Sequence, residues 1–532
     1  MKARTTFLLY FLLSFLILKS QTTIQSGDVY GDWFLSGSPY LIEGDIHLPS
    51  DQRLRIWPGV HVIFQGQYGF ELEGKLDATG TPLDSITFSI NDTTGFSQDN
   101  YFGWNGLLFT GMNYGFSDSS IMAYCNIEYS GFNGINCINY SYLVIRNTEI
   151  RFNYSSGLVL FDFSDIMAES IIIRENKSEG LISFSSSPQV TNFLVKNNSG
   201  TGISIMGNSS GNLSPFFSNG RIQNNTSLYN GGGIAIDIDA YVYIEDTKII
   251  DNVAFNGGGI YCGMAQCDLN NVTIIGNSAQ NGGGVYGSNY SYLTMSYCLI
   301  AKNLADYSGG GANINQGILN LYNCTLSENS SGDLGGGLVF NCNYAPQSAI
   351  RNSIVWNNNP GEIDVIGNGP IINFSDVNGG YSGIENIDDD PLFIDPSNNN
   401  FHLSWNSFPE GNGSKSPCID AGDPDSSQDP DGTFRDMGAF YFDQGFLTTV
   451  NDTKSYNEVN IYPNPAQNFI TISNVSGIDR IAVCNLTGEI ILSLNVSSNI
   501  ADIDISDLNS GVYIVQLFHK QDKLSTKKII KN

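Results

Sequence analysis

Charge is scarce in this 532-residue chain, and most of it has one sign. Only 14% of the residues are charged, and 24 Lys+Arg stand against 52 Asp+Glu, a formal charge of -28. Such a surface repels phosphate backbones and anionic headgroups, which excludes nucleic acid as a partner. With so little charge and 58 glycines, long solvent-facing helices are disfavoured, and strands and turns remain. Histidine is rarer still: His47, His61, His402 and His519 are scattered, and no two cysteines have CxxC spacing. A zinc site of the usual kind therefore lacks ligands. No glycine-rich loop is followed by Gly-Lys-Ser/Thr, so no phosphate cradle is present, and no motif requires a cofactor.

Long apolar runs are missing too. The longest candidate, residues 7–18, has 12 residues, preceded by Lys2 and Arg4 and followed by Lys19 and Ser20. Spanning a bilayer takes about 20 residues, so residues 1–20 read as a secretory signal peptide. The mature chain is expected to leave through Sec with no transmembrane segment of its own. In that oxidising setting nine cysteines are an odd number, leaving at least one outside any intrachain bridge. Cys298 and Cys324 are 26 residues apart, and are expected to stack as buried thiols in one slot of adjacent repeats, although a bridge is open to them.

What the chain has is glycine in register. NGGGI, NGGGI, NGGGV, SGGGA and LGGGL follow one another between Asn230 and Leu338, and their last glycines, Gly233, Gly259, Gly284, Gly311 and Gly337, lie 26, 25, 27 and 26 residues apart. Single glycines at Gly134, Gly157, Gly180 and Gly202 extend the series backwards with steps of 23, 23 and 22. A second ladder is read in Asn153, Asn176, Asn197, Asn224, Asn252, Asn277, Asn303, Asn329 and Asn357, each closing an apolar segment. A repeat of this length carrying two or three short strands cannot bury its apolar face alone, so stacked coils must share one core. Glycine suits the corners, and stacked asparagines can pass amide hydrogen bonds from coil to coil.

The first hundred residues alternate short apolar runs with turns, through Pro58, Gly59, Val60, then Gly74, Lys75, Leu76, then Gly80, Thr81, then Ile86, Thr87, Phe88 and Trp104. This pattern resembles the first coils of right-handed parallel β-helix proteins. The fold class expected is all-β, a pectate-lyase-like solenoid followed by a small C-terminal β-sandwich. Residues 21–100 form the N-terminal cap and first coils, 101–385 the laddered coils, 386–442 an acidic C-terminal cap and 443–458 a linker. The last segment, 459–532, resembles the type IX secretion (Por) C-terminal sorting domain of Bacteroidota. The resemblance rests on Tyr462, Pro463, Asn464 and Pro465, the hairpin at Gly488, the stretch with Gly511 and Tyr513, and the basic tail with Lys527 and Lys528. It implies recognition by the type IX machinery and delivery to the cell surface or medium.

Alternation after the triplets assigns side chains to the outer face of one sheet. With Ile234, Ile236 and Ile238 inward, Ala235, Asp237 and Asp239 face out. Asp237 and Asp239, roughly 6 to 7 Å apart on one strand, form a candidate pair for glycoside hydrolysis; a solvated acidic pair is the plainer reading. Tyr261 and Tyr286 should stack beside them, followed by Asn313 and Asn315, a strip suited to an extended glycan or simply to sheet packing. No Lys or Arg lies on the strip, which weighs against a polyuronide lyase there. In the acidic cap, Asp425, Asp429, Asp431 and Asp436 offer hard oxygen ligands for a structural calcium ion, with a solvated loop as the alternative. The residues favour a glycan-binding or adhesion surface over an enzyme. Its rivals are a polysaccharide hydrolase or lyase and a structural surface protein without a ligand.

Deleting residues 459–532 is expected to strand the remainder in the periplasm, as read by fractionation and surface labelling; normal surface delivery would refute the sorting assignment.

Overall fold

A computed structural model describes residues 21–445 and 460–531, apart from residue 95 and the segments 97–102, 112–118, 208–212, 344–346, 410–412, 474–477, 486–489, 497–499, 507 and 520–521. The signal peptide, most of the linker and Gly488 lie outside the described residues. The chain divides into two compact units, Met1–Phe446 and Leu447–Asn532.

The first unit is a parallel β-solenoid. Each coil adds one short strand to each of three long sheets, of 15, 14 and 14 strands. Around one coil, Lys248–Ile250 lies in sheet A, Ile260–Gly263 in sheet B and Gln266–Asn270 in sheet C, after which Thr273–Ile275 returns to sheet A. Inward residues stack on their counterparts one coil away: Ile249, Ile274, Ile300 and Leu326 in sheet A, and Ile234, Ile260, Val285, Ala312 and Leu338 in sheet B, all fully buried. Burying each large aliphatic side chain contributes about 1.5–3 kcal/mol, and only the neighbouring coil can cover it. No α-helix occurs among the described residues.

Between sheets A and B runs the asparagine ladder, in Asn153, Asn176, Asn198, Asn225, Asn252, Asn277, Asn303, Asn329 and Asn358. At Asn252 the side-chain oxygen accepts the Asn225 backbone N–H and Nδ2, both at 3.0 Å, while its own Nδ2 donates to Ile222 O and Asn277 Oδ1. The sequence expectation is one residue off at three rungs. Asn197, Asn224 and Asn357 sit just before the ladder in the left-handed region, with φ of 55°, 54° and 61°. Both residues of each Asn-Asn pair suit a corner, one because it tolerates positive φ and the other because its amide reaches the next coil.

The triplets divide two tasks. The first glycine turns the chain, as Gly231 does at φ +69°, and the third admits the next coil: a Cβ at Gly233 would stand 2.6 Å from the Gly259 carbonyl oxygen. In four coils a short extra sheet, beginning with Val253–Asn256 and Ser278–Asn281, lies between the asparagine and the triplet.

The acidic segment does more than close the open end. After pairing with Ser375 and Val377 through Ile387, it turns back along the outer face of sheet A. Phe401 packs with Leu299 and Ala301, Lys302 Nζ donates to Pro396 O at 2.7 Å, and Ala439 N donates to Thr325 Oγ1 at 3.0 Å. That covering explains why sheet A's outward residues are apolar or small from Ile275 onward. Cys298 and Cys324 occupy equivalent slots beneath it, both fully buried, with Sγ atoms directed to Leu269 O and Met295 O.

The second unit has two antiparallel sheets, Asn460–Tyr462 with Phe469–Ser473 and Ile500–Asp504, and Ile490–Asn495 with Arg480–Cys484, Gly511–His519 and Asp522–Lys531. They share a core containing Ile470, Ile472, Val483, Val515 and Leu517, as expected of a small sandwich.

Replacing Asn252 by Leu removes the acceptor of the Asn225 N–H and Nδ2 and the donor to Ile222 O and Asn277 Oδ1, at about 1–3 kcal/mol for each buried group left unpaired. A loss of about 3 kcal/mol or more is expected in urea unfolding, with amide exchange rising first in the coils beside residue 252. A second expectation concerns pH. Burial pushes the carboxyl of Asp376 up to about 7, where it accepts from the Cys418 thiol at 3.1 Å and the Asp389 N–H at 3.3 Å. The unfolded aspartate releases its proton near 3.8, so between these values the folded state holds more protons and stability falls as pH rises. Thermal unfolding of Asp376→Asn should therefore depend less on pH between about 4 and 7 than the parent does; equal slopes would contradict this.

Candidate functional site

The outer face of sheet B presents two columns of side chains, because one coil follows the next with nearly constant register. The first runs Ala235, Tyr261, Tyr286, Asn313, Val339, and the second Asp237, Gly263, Ser288, Asn315, Asn341. Tyr261 and Tyr286 stack with centroids 6.0 Å apart and planes 8° from parallel. Each hydroxyl reaches the second column of the next coil: Tyr261 Oη lies 3.0 Å from Ser288 Oγ, and Asn315 Nδ2 donates to Tyr286 Oη at 3.4 Å. The strip is a hydrogen-bonded unit.

Two expectations about it change. Tyr261 is only 7% exposed, so its ring faces packing atoms and Tyr286 carries the accessible edge. Burial also raises the pKa of the Tyr261 hydroxyl. Asn313, likewise buried, donates to Ser308 Oγ at 2.6 Å. The triplet turn curls over this column, as Gly282 does beside the Cβ of Tyr286.

Asp239 does not share the face with Asp237. The strand is Ile234–Asp237, and Ile238 and Asp239 follow with φ of 51° and 54°. Two successive left-handed residues end the alternation, leaving Ile238 45% exposed instead of inward. Asp239 N donates to Met264 O at 2.8 Å in the turn. Asp237 stays on the strip, accepting the Ile238 N–H at 2.9 Å, with its pKa raised by burial.

The four cap aspartates do not converge. Asp429 accepts Arg435 Nη1 at 2.7 Å and the Asp436 N–H at 2.8 Å; Asp431 accepts from Thr433 and Gln444. Asp436 accepts the N–H groups of Asp420 and Phe442, both at 2.7 Å, and burial lifts its pKa to about 7. Asp425 is exposed and donates its N–H to Asp423. No cluster of three or more His, Cys, Asp or Glu arranged for a metal occurs among the described residues. The oxygens of Asp429, Asp431 and Asp436 bind backbone N–H groups, the Thr433 hydroxyl and Arg435, a partner that stood within the same motif. Sequence reading also missed the cleft beside them, about 430 Å³, where Tyr297 and Asp246 of the solenoid face Arg435 and Phe440 of the cap. It joins segments more than a hundred residues apart, and periodicity carries no signal for that.

In the second unit, Asn464 ties its motif to the terminal strand: Nδ2 donates to Lys528 O at 2.9 Å and Oδ1 accepts the Ile530 N–H at 2.8 Å. Tyr513 Oη donates to Asn509 O at 2.9 Å, Gly511 pairs with Lys531, and Lys527 and Lys528 are exposed, as is Tyr462.

Comparisons with known proteins match both units. A secretion system C-terminal sorting domain matches residues 460–532, and a right handed beta helix region matches residues 89–220 and 216–378. Over 77 residues, 14% of this chain, it is 38% identical to Protein bark beetle of Drosophila melanogaster, and that match spans 2% of the relative's length. Among solved structures, pectate lyase Pel9A superposes with a TM-score of 0.32 and 12% identity, over 80% of this chain and 98% of that one. The A-module of mannuronan C-5 epimerase AlgE4 from Azotobacter vinelandii gives 0.26 and 14%, over 65% and 88%. The sorting domain marks the chain for type IX secretion to the cell surface or the extracellular space. Since the solenoid match runs from residue 89 to 378, 290 of 532 positions, the protein belongs to the right-handed β-helix family.

Proposed function

We propose that the exported solenoid is a glycan-binding or adhesion surface, and that the strip on sheet B is its contact face. The observation that supports this reading most is the hydrogen-bonded tyrosine and amide strip, in register over successive coils. A ladder of hydroxyls and amides with one carboxylate, Asp237, at its end and one accessible aromatic edge suits hydroxyl-rich, extended polymers. Repeats at about 4.8 Å would meet successive sugars with the same groups.

A hydrolase on this face is supported less, because Asp239 leaves the strand and Asp237 lacks the second carboxylate that acid and base roles require. Asp429 and Asp436 of the cap are committed to Arg435 and to backbone N–H groups.

A glycan array probed with the mature chain should reveal binding to neutral polysaccharides. Tyr286→Ala and Asn315→Ala are each expected to weaken it about tenfold while leaving thermal unfolding within a few degrees, and binding that ignores both changes would reduce the strip to packing. Incubation with the same polysaccharides should release no new reducing ends or unsaturated products; release would favour the enzyme.

A further inference from the structure

Sheet A divides sharply along its length. From Ile275 onward its outer face lies beneath the acidic segment. Upstream, from Asn126 to Lys248, no described segment packs over it in this way, and it gathers several cations on one face. Arg151, Arg174 and Lys196 are directly paired on three successive coils, and Arg221 and Lys248 pair on the next two. Five of the chain's 24 Lys+Arg thus stand on one face of one sheet, in a protein of charge -28.

Like charges opposite one another across strands destabilise a sheet. The first two are compensated: Arg151 pairs with Glu128 at 2.8 Å and Glu149 at 3.1 Å, and Arg174 with Glu149 and with Glu175. Lys196, Arg221 and Lys248 have no carboxylate partner among the described residues, and Arg221 and Lys248 are exposed. A polar neutral residue would serve the fold better at each position. Beside the strip, at the ends of the same strands, lies a cavity of about 400 Å³ lined by Phe96, Tyr129, Phe152, Lys177 and Glu175, the last paired with Arg174. Tyr129 and Phe152 stack 5.3 Å apart there. Aromatic faces next to a cation row combine the two contacts that an acidic sugar polymer uses, ring stacking and charge pairing.

We propose that this uncovered half of sheet A is a second binding surface, for a polyanionic glycan bearing carboxylates or sulfate esters. The cations stand in two adjacent columns, Arg151, Arg174 and Lys196 in one and Arg221 and Lys248 in the other, because Lys196 pairs with Gln223 and Arg221 with Leu194. Within each column they repeat at about 4.8 Å, a spacing that suits a polymer with one anionic group per sugar. The remaining acidic surface repels such a polymer, which confines it to this strip. The inference is independent of the strip on sheet B.

The test uses the mature chain in binding titrations at low salt, with polygalacturonate as the carboxylate probe, heparin as the sulfate probe, a neutral glucan as control and duplex DNA as a competing polyanion. Binding of one or both acidic glycans should weaken steeply with added salt. The triple variant Lys196→Gln, Arg221→Gln, Lys248→Gln should lose at least tenfold in affinity with an unchanged unfolding temperature, and Tyr286→Ala should leave this binding intact. Failure of the parent to bind either acidic glycan, equal affinity in the triple variant, or duplex DNA bound as tightly as the glycans would each overturn the proposal. Loss of neutral-glucan binding alone would touch only the sheet B reading.

Discussion

Every coil of the solenoid depends on the next for its corner hydrogen bonds. The buried asparagine at the A–B corner accepts a backbone N–H and an amide from the coil before it and donates to the coil after it. Unpaired at that depth, each group would cost as much as a whole coil gains from a buried aliphatic side chain. The ladder therefore locks register, and register decides which residues point in and which point out. The third glycine of each triplet serves the same constraint, since any Cβ there would meet the backbone of the neighbouring coil.

With register locked, outer faces become columns, and a column acquires a chemical character. Sheet B changes from apolar residues such as Val159, Ile182 and Phe184 to Asp237, the tyrosines and the asparagines. Sheet A changes from a charged half to one that the returning acidic segment covers. Both changes are gradations along a single axis, which a solenoid permits because each coil answers only to its neighbours.

Several features were legible before any coordinates. The triplet spacing yields the coils, the strand starts at Ile234 and Ile260 and the stacking of Tyr261 on Tyr286. The motifs of residues 459–532 identify the sorting domain. Asn198 in place of Asn197 is a different matter: two adjacent asparagines look alike to a period that itself varies between coils, and only backbone sign separates them. Asp239 shows the same limit, because alternation cannot announce where two left-handed residues end a strand.

Sequence by itself determined the solenoid, the spacing of its coils and most inward residues of the strands, because each follows from short-range periodicity repeated many times, and its C-terminal motifs determined the sorting domain. Tertiary structure decided what covers what: Tyr261 is buried, stacked on Tyr286 and bonded to Ser288, Asp429 and Asp436 of the cap are spent on Arg435 and backbone, and half of sheet A is sheltered while the other half is open. Those outcomes rest on contacts between segments far apart in the chain, where burial and charge pairing depend on the path of the backbone and not on any local pattern.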